Sequence, residues 1–111
     1  MGLSTHVLDT TRGRPAQGVE VVLERAEGGA FARVGAGATD ADGRVRALLP
    51  EGQAPEAGEY RITFAVGAWF EGQGVAAFYP EVQVHFRVGG GGHLHVPLLL
   101  SPFGYSTYRG S

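Results

Sequence analysis

The strongest constraint on this chain is a repeated alternation of apolar and polar residues over short segments. It is clearest over residues 81–88, where the apolar positions are Val82, Val84, Phe86 and Val88. A period of two residues is typical of a β-strand that turns one face to a core and the other to solvent. The same pattern recurs at intervals of about ten residues along the chain. This spacing predicts an all-β protein.

Seven or eight short strands and one helix are predicted. The candidate strands cover residues 3–10, 19–24, 31–37, 44–49, 59–64, 81–88, 93–101 and 105–109. The helix is predicted over residues 65–73, where the glycines at 67, 72 and 74 limit it to about two turns. The four glycines at 89–92 predict a hairpin between the strands that they join. Many short strands separated by turns indicate a sandwich of two antiparallel sheets.

Length and composition exclude several classes of protein. A chain of 111 residues builds one core, so a single domain over residues 1–111 is expected. The chain has 0 cysteines, which excludes disulfides, thiolate catalysis and zinc sites built on cysteine. The net charge of −2 provides no positive field for a nucleic acid or an acidic membrane surface. No long apolar run or signal-peptide pattern is present, so a cytoplasmic protein without membrane contact is expected.

The segment 93–101 has two distinct faces. Its even positions, Leu94, Val96, Leu98 and Leu100, form an unbroken apolar face for the core. Its odd positions carry His93, His95, Pro97 and Leu99, so the opposite face is only partly polar. An exposed apolar patch rimmed by polar groups usually marks an interface or a ligand groove. We therefore expect a subunit contact on this outer face, with the histidines at its edge.

Three interpretations of the two histidines remain open at this point. Residues two apart on a strand project to the same side, about 6.5–7 Å apart, and zinc binds imidazole nitrogen readily. His93 and His95 are thus candidate zinc ligands, with His6 as a possible third. They are equally interpretable as exposed polar residues at a strand start. Alternatively, they act as acid and base near neutral pH, where histidine titrates.

The motifs in combination resemble those of a known family. They are THVLD at 5–9, GRPA at 13–16, DGR at 42–44, FYPEV at 78–82, HVPLLLSP at 95–102 and YRGS at 108–111. In this order and spacing they are similar to the 5-hydroxyisourate hydrolases, the transthyretin-related enzymes of urate breakdown. The resemblance covers essentially the whole chain, and the YRGS end is the family hallmark that separates these enzymes from transthyretin itself. One departure is Leu94, where the enzymes commonly carry tyrosine; because it lies on the core face, we expect altered packing and no loss of activity.

The resemblance implies a fold, an assembly and a set of site residues. The implied fold is a transthyretin-like sandwich of two four-stranded antiparallel sheets with one short helix, forming a single hydrolase domain. The implied assembly is a homotetramer, a dimer of dimers with active sites in a channel between the dimers. By matching motif, the implied catalytic residues are His6, Arg44 and His95. The implied substrate-binding residues are Tyr108, Arg109 and Ser111, and neither a metal nor another cofactor is expected.

The implied reaction is the hydrolysis of 5-hydroxyisourate to 2-oxo-4-hydroxy-4-carboxy-5-ureidoimidazoline in purine catabolism. Such a hydrolysis requires an activated water, stabilisation of charge on the attacked carbonyl and a proton for the leaving nitrogen. His6 and His95 are expected to share water activation and proton return, and Arg44 to hold the substrate oxygens. Arg109 either binds substrate or anchors the tail. The alternatives are a non-enzymatic, transthyretin-like carrier of a small ligand and a zinc-dependent cyclic amide hydrolase.

Overall fold

The computed structural model describes residues 2–50, 52–90 and 92–110. Within these residues, nine strands and one helix form. They are β1 (Gly2–Asp9), β2 (Arg14–Pro15), β3 (Glu20–Glu27), β4 (Ala30–Ala38), β5 (Arg44–Val45), β6 (Gly58–Phe64), α1 (Val66–Glu71), β7 (Val82–Val88), β8 (His93–Ser101) and β9 (Gly104–Thr107). Most predicted strands are thus present, with ends that differ by at most three residues. The exception is the segment 44–49, of which only the first two residues pair as β5.

The strands form two sheets, which confirms the predicted sandwich. The first sheet has the order β2-β1-β8-β9, and β5 also pairs with β1. The second sheet has the order β4-β3-β6-β7. The short helix α1 follows β6 and buries Val66 and Phe70, which lie one turn apart on its inner side. Among the described residues, no helix has the length and hydropathy needed to cross a lipid bilayer.

Three details of the predicted sandwich are wrong. The first sheet has five strands where four were expected, and its central pair, β1 with β8, is parallel. The glycines at 89–92 also do not join a hairpin, because β7 lies in the second sheet and β8 in the first. They carry the chain from one sheet to the other, although Gly91 itself lies outside the described residues. The alternation of apolar and polar residues shows on which face of a strand each residue lies. It does not depend on which strand lies alongside, so it could not reveal this crossover.

The core lies between the sheets and comes from the alternating residues of their longest strands. Leu3 and Val7 of β1, Leu23 of β3, Ile62 of β6 and Leu98 of β8 are each 0% exposed. Burying one such side chain contributes about 1.5–3 kcal/mol. Because these residues fix which face of β1 and β8 turns inward, their neighbours in sequence must point to the outer face of the first sheet. That outer face carries the candidate site.

Candidate active site

Three strands of the first sheet bring the predicted catalytic residues together. β1 pairs with β5 so that His6 lies opposite Arg44, and it pairs with β8 so that Ser4 lies opposite His95. Directly paired residues project to the same side of a sheet. His6, Arg44 and His95 therefore share the outer face, as the strand pattern and the family resemblance both predicted for the two histidines.

The two histidine rings face each other across neighbouring strands. Their centroids are 6.5 Å apart and their planes are tilted by 37°. Nε2 of His6 lies 2.9 Å from the main-chain carbonyl oxygen of Asp42. Because a carbonyl oxygen only accepts, the Nε2–H of His6 donates this bond and Nδ1 carries the lone pair when the ring is neutral.

A tight turn before β5 positions Arg44. Oδ1 of Asp40 accepts hydrogen bonds from the main-chain N–H groups of Asp42, at 2.9 Å, and Arg44, at 3.0 Å. The bond from the Arg44 N–H is the main cause that holds the pKa of Asp40 below its usual value of 3.8, whereas partial desolvation acts in the opposite direction. Gly43 adopts a φ of +78°, and a Cβ at this position would lie 2.5 Å from the carbonyl oxygen of Val7. Asp40 and the glycine of the DGR motif are thus required by the shape of the turn.

Two arginines lie beside the histidines but differ in their partners. The guanidinium of Arg46 is 3.0 Å from a carboxylate oxygen of Asp42 and 3.5 Å from one of Asp40. Among the described residues, Arg44 makes no ion pair of this kind. Arg46 is therefore an anchor for the turn, and the guanidinium of Arg44 is left without a carboxylate partner among those residues.

Ser4 links the two histidines of β8 and was not identified from the sequence. Its Oγ lies 2.9 Å from Nε2 of His93 and 2.8 Å from Nδ1 of His95. The sequence does contain an indication that Ser4 belongs to the site, because a residue two positions before His6 on a strand must share its face. Ser4, Arg44, Arg46, His93 and His95 surround a cavity of about 270 Å³. This is close to the lower limit of small-molecule pockets.

The surroundings of His95 favour its neutral form. Its pKa is lowered from the usual 6.5, first by burial and then by the positive charges of Arg44, His6 and His93; a backbone hydrogen bond at Ser4 acts in the opposite direction. A histidine that is neutral near pH 7 retains a lone pair that accepts a proton from water. His95 thus has the electronic state that a general base requires.

The end of the chain lies directly on His95. The N–H of Gly110 donates a 2.8 Å hydrogen bond to the carbonyl oxygen of His95. A Cβ at position 110 would be 2.6 Å from Cδ2 of the His95 ring. Only glycine fits this approach, which accounts for the third residue of the terminal YRGS motif. Ser111, the predicted site residue that follows, lies outside the described residues.

Comparison with known proteins shows the family of the chain. Residues 3–110 match the model of the HIUase/Transthyretin family. The chain belongs to this family. A 5-hydroxyisourate hydrolase of Salmonella typhimurium is 49% identical over 110 residues, which cover 98% of this chain and 80% of that protein. The solved structure of Klebsiella pneumoniae 5-hydroxyisourate hydrolase has a TM-score of 0.87 and 40% identity, with 100% of both chains covered. Sea bream transthyretin, solved in complex with thyroxine, has a TM-score of 0.91 and 33% identity over 98% of this chain and 94% of that chain.

In this member of the HIUase/Transthyretin family, Tyr108 and Arg109 lie apart from the histidine cavity. They line a separate groove of about 230 Å³ with Leu94 and Val96 of β8 and with residues of β7. Leu94 and Val96 belong to the core face of β8, whereas His95 projects from the opposite face. A single chain therefore does not bring Tyr108 or Arg109 to the cavity, and their contact with substrate stays a prediction.

The sequence also left open a zinc site formed by His93 and His95 with His6 as the third ligand. Within residues 2–50, 52–90 and 92–110, no three histidine or acidic side chains are grouped in a way that could hold a metal ion. His93 and His95 converge on the Ser4 hydroxyl, and His6 donates to the carbonyl of Asp42. The imidazoles thus participate in a hydrogen-bond network with serine and main-chain partners.

Proposed function

We propose that this chain is a 5-hydroxyisourate hydrolase of purine catabolism, with His6, Arg44 and His95 as its catalytic residues. The proposal is carried by one observation: His6, Arg44 and His95 meet on the outer face of a chain 49% identical to a protein named for this activity. The reaction adds water to a ring carbonyl carbon and breaks its bond to the ring nitrogen. The nitrogen gains a proton, and the new carboxylic acid ionises.

His95 is the general base in this proposal. Its lowered pKa keeps the ring neutral at neutral pH, and Nδ1 is occupied by Ser4. Nε2 is then the ring nitrogen that takes a proton from the attacking water. A positioned base of this kind typically contributes a factor of about 10²–10⁴ to the rate.

Arg44 stabilises the charge that develops on the attacked carbonyl oxygen. Its guanidinium is planar and carries donors in a fixed fork that matches two oxygen atoms of a substrate. The turn from Asp40 to Gly43 holds its backbone, and no carboxylate among the described residues competes for it. Donors that are already in place when charge develops provide one of the largest contributions to catalysis.

His6 returns a proton to the leaving nitrogen. Its ring lies on the same outer face as that of His95, with the two ring centroids 6.5 Å apart. The fixed Nε2–H bond to Asp42 orients the ring so that Nδ1 is the nitrogen that exchanges protons. His6 and His95 thus share proton transfer on the two sides of the breaking bond.

We further propose that the active unit is a cytoplasmic homotetramer, a dimer of dimers, in which Tyr108, Arg109 and Ser111 contact substrate. The half-buried Leu8 and Leu99 beside the histidines support a subunit contact on this outer face. The absence of cysteine from the sequence is compatible with a reducing compartment. Analytical ultracentrifugation tests the tetramer, and a stable monomer at micromolar concentration would contradict it.

The deciding experiment follows the ultraviolet absorbance of 5-hydroxyisourate generated freshly from urate. We expect its decay to be much faster with the protein than without it. The matched control is His85→Ala, because His85 pairs with Glu59 on the second sheet, away from the site. Decay no faster than the spontaneous rate would refute the proposed activity.

A carrier function is the second candidate, favoured by the fold similarity to sea bream transthyretin in complex with thyroxine. The cavity beside His95 is lined by two arginines, two histidines, a serine and a threonine, which is unsuited to an apolar ligand. Isothermal titration with thyroxine distinguishes the two functions. Tight binding together with no hydrolysis would favour the carrier.

A further inference from the structure

The hydroxyl of Ser4 lies between two imidazoles and controls how their protons are arranged. Ser4 is 7% exposed, and its Oγ is within hydrogen-bond distance of both Nε2 of His93 and Nδ1 of His95. A hydroxyl has a single proton, so it can donate to only one of the two rings and must accept from the other when both bonds form. The two neutral arrangements leave opposite protonation states at Nε2 of His95.

The charges around the cavity distinguish the two arrangements. In the first, His95 donates from Nδ1 to Ser4, Ser4 donates to His93, and Nε2 of His95 carries a lone pair. In the second, Ser4 donates to His95, and Nε2 of His95 carries a proton. Arg44 on β5 bears a positive charge near His95, whereas the charge of Arg46 is matched by Asp40 and Asp42. A ring lone pair directed toward Arg44 is favoured, whereas an N–H dipole directed toward it is disfavoured.

All other titratable groups near His95 act in the same direction or are already neutralised. His6 on β1 and His93 on β8 each oppose a positive charge on His95. The carboxylates of Asp40 and Asp42 are engaged by Arg46. These charges thus oppose a positive charge on the His95 ring, so that one of its two nitrogens keeps a lone pair.

We propose that Ser4 is a positioning residue that holds His95 with its proton on Nδ1 and that His93 is the acceptor completing this chain of hydrogen bonds. Ser4 touches no reacting atom. It fixes the tautomer and the plane of the base, much as the partner of a catalytic or metal-bound histidine does. The catalytic consequence rests on the hydrolase function proposed above, whereas the tautomer itself does not.

Nitrogen NMR of the histidine rings tests the tautomer without any substrate. The protein is labelled with ¹⁵N-histidine and measured at about pH 8, above the ordinary histidine pKa of about 6.5. The chain has 4 histidines, which substitutions at single positions assign. We expect the wild-type His95 ring to be protonated at Nδ1. In Ser4→Ala the proton should shift toward Nε2, the position that free histidine favours in water. A wild-type ring protonated at Nε2 would overturn the proposal.

Kinetics then test whether the tautomer matters for hydrolysis. Ser4→Ala should lower kcat by about 10- to 100-fold, the usual cost of losing the partner of a functional histidine. KM should change by less than about threefold, because Ser4 binds no substrate in this scheme. Ser4→Thr keeps a hydroxyl and should restore both kcat and the Nδ1 proton.

The matched control is Ser101→Ala, which removes a partly buried hydroxyl bonded to the carbonyl of Gly104 at the far end of β8. It should leave kcat and the His95 tautomer unchanged. A Ser4→Ala variant with the wild-type tautomer would refute the positioning role even if its activity fell. A wild-type protein without hydrolase activity but with the Nδ1 proton would refute the proposed function alone.

Discussion

Substituting Gly43 tests whether the turn that positions Arg44 is fixed by a close backbone approach. Alanine at a φ of +78° costs about 1–2 kcal/mol, because Cβ crowds the following carbonyl in the left-handed region. The added Cβ would also lie 2.5 Å from the carbonyl oxygen of Val7. The backbone must shift to relieve this contact. That shift disrupts the 2.7 Å hydrogen bond from the Val7 N–H to the Gly43 carbonyl, at a cost of about 1–3 kcal/mol.

The sum predicts that Gly43→Ala destabilises the fold by about 2–5 kcal/mol. At about 4 °C per kcal/mol for a domain of this size, Tm falls by about 8–20 °C. Gly13→Ala is the matched control, because Gly13 has a similar φ of +69° but nothing within 4 Å of the added Cβ. Gly13→Ala should lower the free energy of unfolding only by the cost of alanine at a positive φ, about 1–2 kcal/mol. The reduced freedom of the unfolded chain, common to both alanines, cancels in the comparison.

The assay is thermal unfolding followed by circular dichroism at one fixed protein concentration, since assembly makes Tm concentration-dependent. Urea unfolding at 25 °C gives the free-energy difference directly. If Gly43→Ala lost no more stability than Gly13→Ala, the close approach to Val7 would have no energetic role, and the explanation of the Asp-Gly-Arg motif would fail.

Four further predictions concern the residues of the candidate site and the end of the chain. His95→Ala and Arg44→Ala should each lower kcat/KM by about 10²–10⁴, with His85→Ala as the unchanged control; near-normal turnover by both variants would remove these residues from the mechanism. Because the pKa of His95 is below 6.5, the acid limb of a kcat/KM profile should have its midpoint below pH 6.5. For the same reason stability should decline as the pH falls from 6.5 through that lowered pKa, since the unfolded chain takes up the proton first, and His95→Gln should reduce this decline. Deleting residues 109–111 should abolish hydrolysis and leave the tetramer intact; sedimentation as a monomer would make the tail a structural element.

Much of the candidate site could be predicted because strand faces are set locally. Leu94, Val96, Leu98 and Leu100 determine that His93 and His95 project outward, and the observed bounds of β8 match the predicted 93–101. The alternation of β1 likewise separates His6 from the buried Val7. The family motifs added Arg44, which local pattern alone would describe as an ordinary strand-end residue. The strand faces depend only on residues within a few positions along the chain.

The partners of each strand were decided only by the tertiary structure. The parallel pairing of β1 with β8 joins residues about 90 positions apart and sets Ser4 opposite His95. No local sequence pattern indicates that register, so the hydrogen bonds that join His93 and His95 through Ser4 could not be predicted. The crossover at residues 89–92 was mistaken for a hairpin for the same reason. Tyr108, expected to line the active site, instead lines a separate groove with Leu94 in the single chain.

The sequence by itself therefore determined which side chains leave the core, because alternation along a strand is a property of the chain's own geometry. The tertiary structure alone decided which outward side chains meet. That outcome depends on strand order, direction and register, which are selected by the total burial of two sheets against each other rather than by any single segment.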